Sequence, residues 1–154
     1  KAIGRGGGGA AREEARAGSR PARAIETLGE LFARQLASGL WDDASGGADA
    51  ELRQLGATVR VLVRLVTEGV DAAHPLYGAP LRKAIDAVIT LARDCAGRDP
   101  ARSELALGAA WLLATGPRTR SALRVVIDAG PFAVVAAKRQ NTDELRAWVL
   151  AATI

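Results

Sequence analysis

The chain contains no methionine, one cysteine and one histidine, and only six of its 154 residues are aromatic. Each scarcity excludes something. A lone Cys95 cannot form an intrachain disulfide, which fits a reducing compartment and a cytoplasmic location. A lone His74, one cysteine and scattered carboxylates supply no spaced ligand set for zinc, so neither metal nor cofactor is expected. No local sequence pairs Cys95 with His74 as nucleophile and base, and no motif sets two acid–base groups together, so the chain does not read as an enzyme. Only a cleft gathering His74, Arg82 and Asp86 would reopen that reading. There is no apolar run of about 18 residues to span a bilayer. The basic N-terminus also lacks the apolar stretch of a secretion signal. The chain opens on Lys1 and contains no Met, which leads us to expect a fragment of a longer protein.

What is abundant points to helices. The apolar share is 49%, mostly Ala, Leu and Val. Small and straight side chains favour close helix packing over a sheet sandwich. The net charge of +4 invites a nucleic-acid reading, but its distribution weakens it. Residues 1–24 hold six Lys/Arg against two Asp/Glu, whereas residues 25–154 hold fifteen of each. The excess therefore sits in a Gly/Arg-rich arm and not on the globular part, where a folded nucleic-acid binder needs its basic face.

Residues 1–20 read as a linker, because glycine has much backbone entropy to lose and few side chains here repay ordering. Within it, Gly4, Gly6 and Gly9 formally satisfy G-x-G-x-x-G, but no strand precedes them and no rigid turn holds them. Residues 21–154 read as one helical domain. A first helix is expected from Pro21, with Ser19 as its cap and Ile25, Leu28, Leu31, Phe32 and Leu36 on one side. After Ser38-Gly39, Leu40 and Trp41 are expected to fold back onto the core. The adjoining Asp42-Asp43-Ala44-Ser45 lacks the second hydroxyl of a D-x-S-x-S metal motif and reads as a loop.

The clearest helix spans residues 49–68, with Leu52, Leu55, Val59, Leu62 and Val66 in one stripe and Arg53, Arg60 and Arg64 elsewhere on the wheel. The next is expected from Pro80, with Leu81, Ile85, Val88, Ala92 and the buried thiol of Cys95 on one face. These two are expected to pair antiparallel. Ser103 is a candidate cap for a helix bearing Leu105, Trp111, Leu112 and Leu113. Thr119 or Ser121 is a candidate start for one bearing Leu123, Val126 and Ile127. Residues 132–137 fit strand or helix by pattern, and the lack of a partner strand favours helix. Asn141 is expected to cap a last helix with Leu145, Trp148 and Val149. Gly39, Gly69, Gly97, Gly116 and Gly130 each follow an apolar segment, as left-handed helix ends do. The expected fold is all-α, a single bundle of about six or seven short helices, largely antiparallel.

Two sets of side chains are candidates for partner binding. Trp41, Trp111 and Trp148 are the large anchors, and tryptophan is enriched where interfaces concentrate their energy. Arg118, Arg120 and Arg124 form a basic cluster able to meet phosphate, although the same spacing also makes an ordinary solvated face.

Three segments carry a resemblance: ELFARQLASGLWDD, ELRQLGATVRVLVRLVTEG and PLRKAIDAVITLARD. Gln35, Gly39, Leu40 and Trp41 align with an "LQ..DGSW"-like element, Ala57-Thr58 with an "ATALALAWL"-like helix, and Lys83-Ala84 with a "KA..WL"-like helix. Over residues 25–96 the chain resembles the helical C-terminal region that follows the vault/inter-α-trypsin and von Willebrand type A domains of a group of bacterial proteins. A similar region occurs in vault poly(ADP-ribose) polymerase. The DGS of the first element has no counterpart here. The resemblance implies a non-catalytic interaction or assembly element whose partner is another protein or another domain of the same assembly. It also implies that the metal-dependent and inserted domains precede the Gly-rich linker. The alternative from a different class is a nucleic-acid-associated helical domain using the basic arm and the three arginines.

Overall fold

The computed structural model describes residues 25–43 and 49–152. Seven helices and no strand occur among them: α1 (Leu28–Ala33), α2 (Ala50–Glu68), α3 (Gly78–Cys95), α4 (Pro100–Leu113), α5 (Pro117–Ala129), α6 (Ala133–Lys138) and α7 (Thr142–Ala151). The all-α expectation holds. The expected linker, Ser19 and Pro21 lie outside the described residues, as do Ala44 and Ser45. The first helix is shorter than expected: residues 25–27 are not helical, Thr27 caps a helix that runs only from Leu28 to Ala33, and Ile25 and Leu36 are exposed instead of joining its buried side. Among the described residues no helix is long and apolar enough to cross a membrane.

The order of assembly follows from α4. Ser103 and every residue from Leu105 to Trp111 are buried, together with Leu113. A helix that is apolar all round has no face to offer water and must be covered on every side. Here α2, α3, α5, α6 and α7 all pack on it. Its small residues make that possible. A methyl group at Gly108 would lie 3.1 Å from Trp148 and 3.4 Å from both Val135 and Val149, so α6 and α7 come in over the bare backbone.

The expected pairing of α2 with α3 exists, but the main neighbour of α2 is α4. Of the predicted α2 stripe, Leu55, Val59, Leu62 and Val66 are buried and Leu52 is partly so; the wider set Ala57, Val61, Val63 and Leu65 is buried too, because α2 is flanked on more than one side. In α3 the predicted stripe of Leu81, Ile85, Val88, Ala92 and Cys95 is buried throughout. Burial is also what pushes the Cys95 thiol up from its ordinary pKa, against the opposing pull of Arg98.

Caps fix where the helices begin. Thr27 and Glu30 form a reciprocal capping box at α1: the Thr27 hydroxyl accepts from Glu30 N at 3.1 Å and the Glu30 carboxylate accepts from Thr27 N at 2.8 Å. Asp49 and Asn141 cap α2 and α7. Three later starts also need correction. The cap of α4 is Asp99, whose carboxylate accepts from Arg102 N at 3.1 Å, while Ser103 lies inside the helix and is buried. Proline suits the first helical turn because its missing N–H has no partner to lose there. For that reason α4 starts at Pro100 and α5 at Pro117, ahead of Thr119 and Ser121, and α3 begins at Gly78 with Pro80 already inside it.

Of the five glycines expected to be left-handed, Gly39, Gly69 and Gly116 are, and Gly97 and Gly130 are not. Gly39 is also needed for space, since a Cβ there would fall 2.8 Å from the Lys83 carbonyl oxygen on α3. Residues 133–138 are helical, which resolves the strand-or-helix ambiguity. One of the first-turn amides of α6, which have no partner within the helix, is met from outside: Val135 N donates to the Glu104 carboxylate of α4 at 2.9 Å.

Replacing Gly108 by alanine is expected to destabilise the domain by about 1–3 kcal/mol, the usual cost of overpacking a filled contact, despite alanine's better helix propensity. Urea unfolding followed by far-UV circular dichroism measures it. An unchanged or raised midpoint would show that α7 has room to yield.

Candidate functional site

The three tryptophans go to three different places. Trp41 exposes no surface. Its indole N–H donates to the Leu31 carbonyl at 2.9 Å, its backbone N–H donates to the Thr58 hydroxyl at 2.9 Å, and its ring meets Phe32 edge-on at 5.6 Å. It therefore staples α1 and the following loop to α2. Asp42, next in sequence, is gripped by Arg53 through two nitrogens at 2.6 and 3.1 Å. That hydrogen-bonded guanidinium holds the Asp42 carboxyl below its ordinary pKa.

Trp111 is buried under two guanidinium groups, Arg120 at 4.6 Å and Arg139 at 5.7 Å from the ring centre. Arg120 also donates to the Ala114 carbonyl at 3.2 Å, and Arg139 holds Asp128 at 2.5 and 3.2 Å. Of the predicted arginine cluster, Arg118 and Arg124 lie exposed on α5, while Arg120 is turned onto the indole. The structure does not bring the three together as one phosphate-facing set. His74 accepts from the Leu76 and Tyr77 amides, Arg82 donates to the Ala72 carbonyl, and no described cavity gathers them with Asp86.

Trp148 alone is half-buried, and it lines a groove of about 480 Å³ between α2, α4 and α7. Val59 of α2, Leu105 of α4 and the Trp148 ring form its apolar lining, with Ala101 and Ala152 at its ends. Arg60, Arg102 and Glu104 give it a charged rim. The Glu104 carboxylate is the one that accepts from Val135 N, so it serves α6. Arg60 and Arg102 each reach a carboxylate through a single nitrogen at 3.1 Å, on Asp43 and Asp99 respectively.

Gly56 also lines the groove, in the middle of α2. Unlike Gly108, it answers no demand of packing. A methyl group there would meet only Arg60 Nη1 at 3.8 Å and the Arg102 side chain at 3.9–4.0 Å, which is ordinary contact with flexible ends. Mid-helix glycine costs roughly 0.5–1 kcal/mol relative to alanine. The fold thus carries a small penalty at the one place where the groove meets bare helix backbone. Gly56, Arg60 and Arg102 are the site residues that reasoning from sequence missed. An unexplained glycine inside the most regular helix was the available signal.

Two other hollows are less suited to a partner. A cleft of about 540 Å³ beside α1 is lined by Glu26, Arg34, Asp42, Asp43, Arg60 and Arg64, largely engaged with one another or with nearby backbone, as in the Arg34–Glu26 pair at 2.7 Å. A smaller one, about 230 Å³, runs along Val125, Val126 and Phe132 beneath Arg93.

Compared with known proteins, the chain matches no family model, no curated protein and no solved structure.

Gly56→Ala is expected to raise stability by about 0.5–1 kcal/mol, the gain of a methyl-bearing residue in a helix that has space for it. The same urea titration reads it. A loss would reveal a packing role for the bare backbone at this position.

Proposed function

We propose that this chain is a non-catalytic helical interaction module. Its groove between α2, α4 and α7 accepts a segment of another protein, or of another domain of the same assembly. The observation that carries this reading is the groove itself, an apolar lining with one half-buried tryptophan and a rim of arginine. Grooves of that make-up bind by burying an apolar anchor, while polar groups at the edge set its orientation. The resemblance to the helical region after vault/inter-α-trypsin and von Willebrand type A domains agrees with a scaffolding role in a larger cytoplasmic protein. It ends at residue 96, so only the α2 wall of the groove falls within it.

The nucleic-acid reading is weaker, since Arg120 is committed to Trp111 and residues 25–154 hold as many acidic as basic side chains. No observation singles out a catalytic group.

Selection from a displayed library of helical peptides tests the groove. Wild-type protein is expected to enrich peptides that Gly56→Leu and Trp148→Ala lose, with folding of both variants confirmed by circular dichroism. Gly56→Leu fills the groove from a position with space for a side chain, and it remains informative should Trp148→Ala unfold. Enrichment that persists on folded Gly56→Leu, or no enrichment on wild type, contradicts the proposal.

A further inference from the structure

The rim of the groove specifies more than an apolar occupant. Arg60 Nη1 and Arg102 Nε lie 3.8 and 3.9 Å from the same point, the position a Gly56 Cβ would take. Both guanidinium groups therefore converge on bare helix backbone. Their side chains are 62% and 57% exposed, and each holds its acidic neighbour through one nitrogen. Arginine presents five N–H donors in a planar fork, so each keeps donors to spare after one such contact. The carboxylates already paired with them, Asp43 and Asp99, are not part of the groove lining.

Resting on the groove reading above, we infer that the occupant is an acidic amphipathic helix. An Asp or Glu on it bridges Arg60 and Arg102 over Gly56, and an apolar residue one turn away sits against Val59, Leu105 and Trp148. The absence of a side chain at Gly56 lets that carboxylate descend between the two arginines. A helical occupant is favoured because the groove walls are helices whose backbone groups are already paired, which leaves no open strand edge for an extended peptide. A helix brings its own backbone satisfied.

The same charges argue against a polyphosphate. Glu104 stands on the rim and Asp43 and Asp99 stand just behind the arginines. Three carboxylates thus stand against two arginines, so recognition depends on short, directed guanidinium–carboxylate hydrogen bonds and not on a long-range basic patch.

The test takes peptides enriched on the wild-type protein and remakes them with each Asp or Glu changed to its amide. Affinities are measured by fluorescence anisotropy on the wild type and on the Arg60→Gln/Arg102→Gln double variant. One acidic position is expected to cost about tenfold on wild type when neutralised, the scale of a charge-assisted pair, and to cost nothing on the double variant. Equal binding of acid and amide peptides, or the same loss on both proteins, overturns the inference while leaving the groove reading intact. Peptides that still bind folded Gly56→Leu overturn the groove reading instead. A fluorescent oligonucleotide serves as the third arm. Binding that the double variant abolishes would assign the two arginines to nucleic acid and refute the acidic helix.

Discussion

The whole arrangement depends on burying α4. Its residues from Leu105 to Trp111 offer water no polar side chain, and no single neighbour can cover a cylinder apolar on all sides. The chain solves this by surrounding it with two long helices, α2 and α3, and three shorter ones, α5 to α7. The shorter helices bury little individually. Val135 is the one buried residue of α6, and Leu145 and Val149 are those of α7. Helices of six or ten residues are too short to be stable alone in water, so their order derives from α4 and not from their own propensity. Gly108 and Ala106, Ala109 and Ala110 are what let them approach. The groove is the seam where this cover is incomplete, between the last of the surrounding helices and the first turns of α4.

Tryptophan and arginine illustrate how one residue type is divided among tasks by its neighbours. Trp41 and Trp111 fill core positions, and each is finished by a polar partner: a carbonyl for the first indole N–H, guanidinium faces for the second ring. Trp148 crosses over Gly108 and then emerges, so it belongs partly to the core and partly to the groove. The exposed ion pairs are worth little in stability individually, since each is screened and must immobilise long side chains. Their value is positional. Arg53 holds Asp42 beside the Trp41 staple, and Arg98 bridges to Asp49 and Glu51 at the start of α2 from the end of α3.

Much of the helix layout was legible because the periodic stripes of α2 and α3 are strong, and because burial against a partner is what such stripes mean. Thr142 and the residues after it followed from the Asn141 cap, and the short run at 133–138 followed from the lack of any strand to pair with. The central role of α4 was not legible. A helix buried on every side shows no contrast between faces, so it looks weaker in sequence than the amphipathic helices around it. The misplaced starts of α4 and α5 share one cause: Ser103, Thr119 and Ser121 are good capping residues, but prolines ahead of them had already opened the helix. The groove was legible only in fragments, Trp148 as a candidate anchor and Gly56 as an unexplained mid-helix glycine. Its walls come from residues 56–60, 101–105 and 148–152, and only packing around α4 brings those together.

Amide hydrogen exchange under native conditions tests the claim about α4 most directly. If the other helices are ordered by covering it, its central amides, from Leu105 to Ala110, should be the slowest in the domain and open only with global unfolding, while α6 and α7 exchange through smaller local openings. Exchange in α4 faster than in the middle of α2 or α3 would contradict that hierarchy and place the organising core elsewhere.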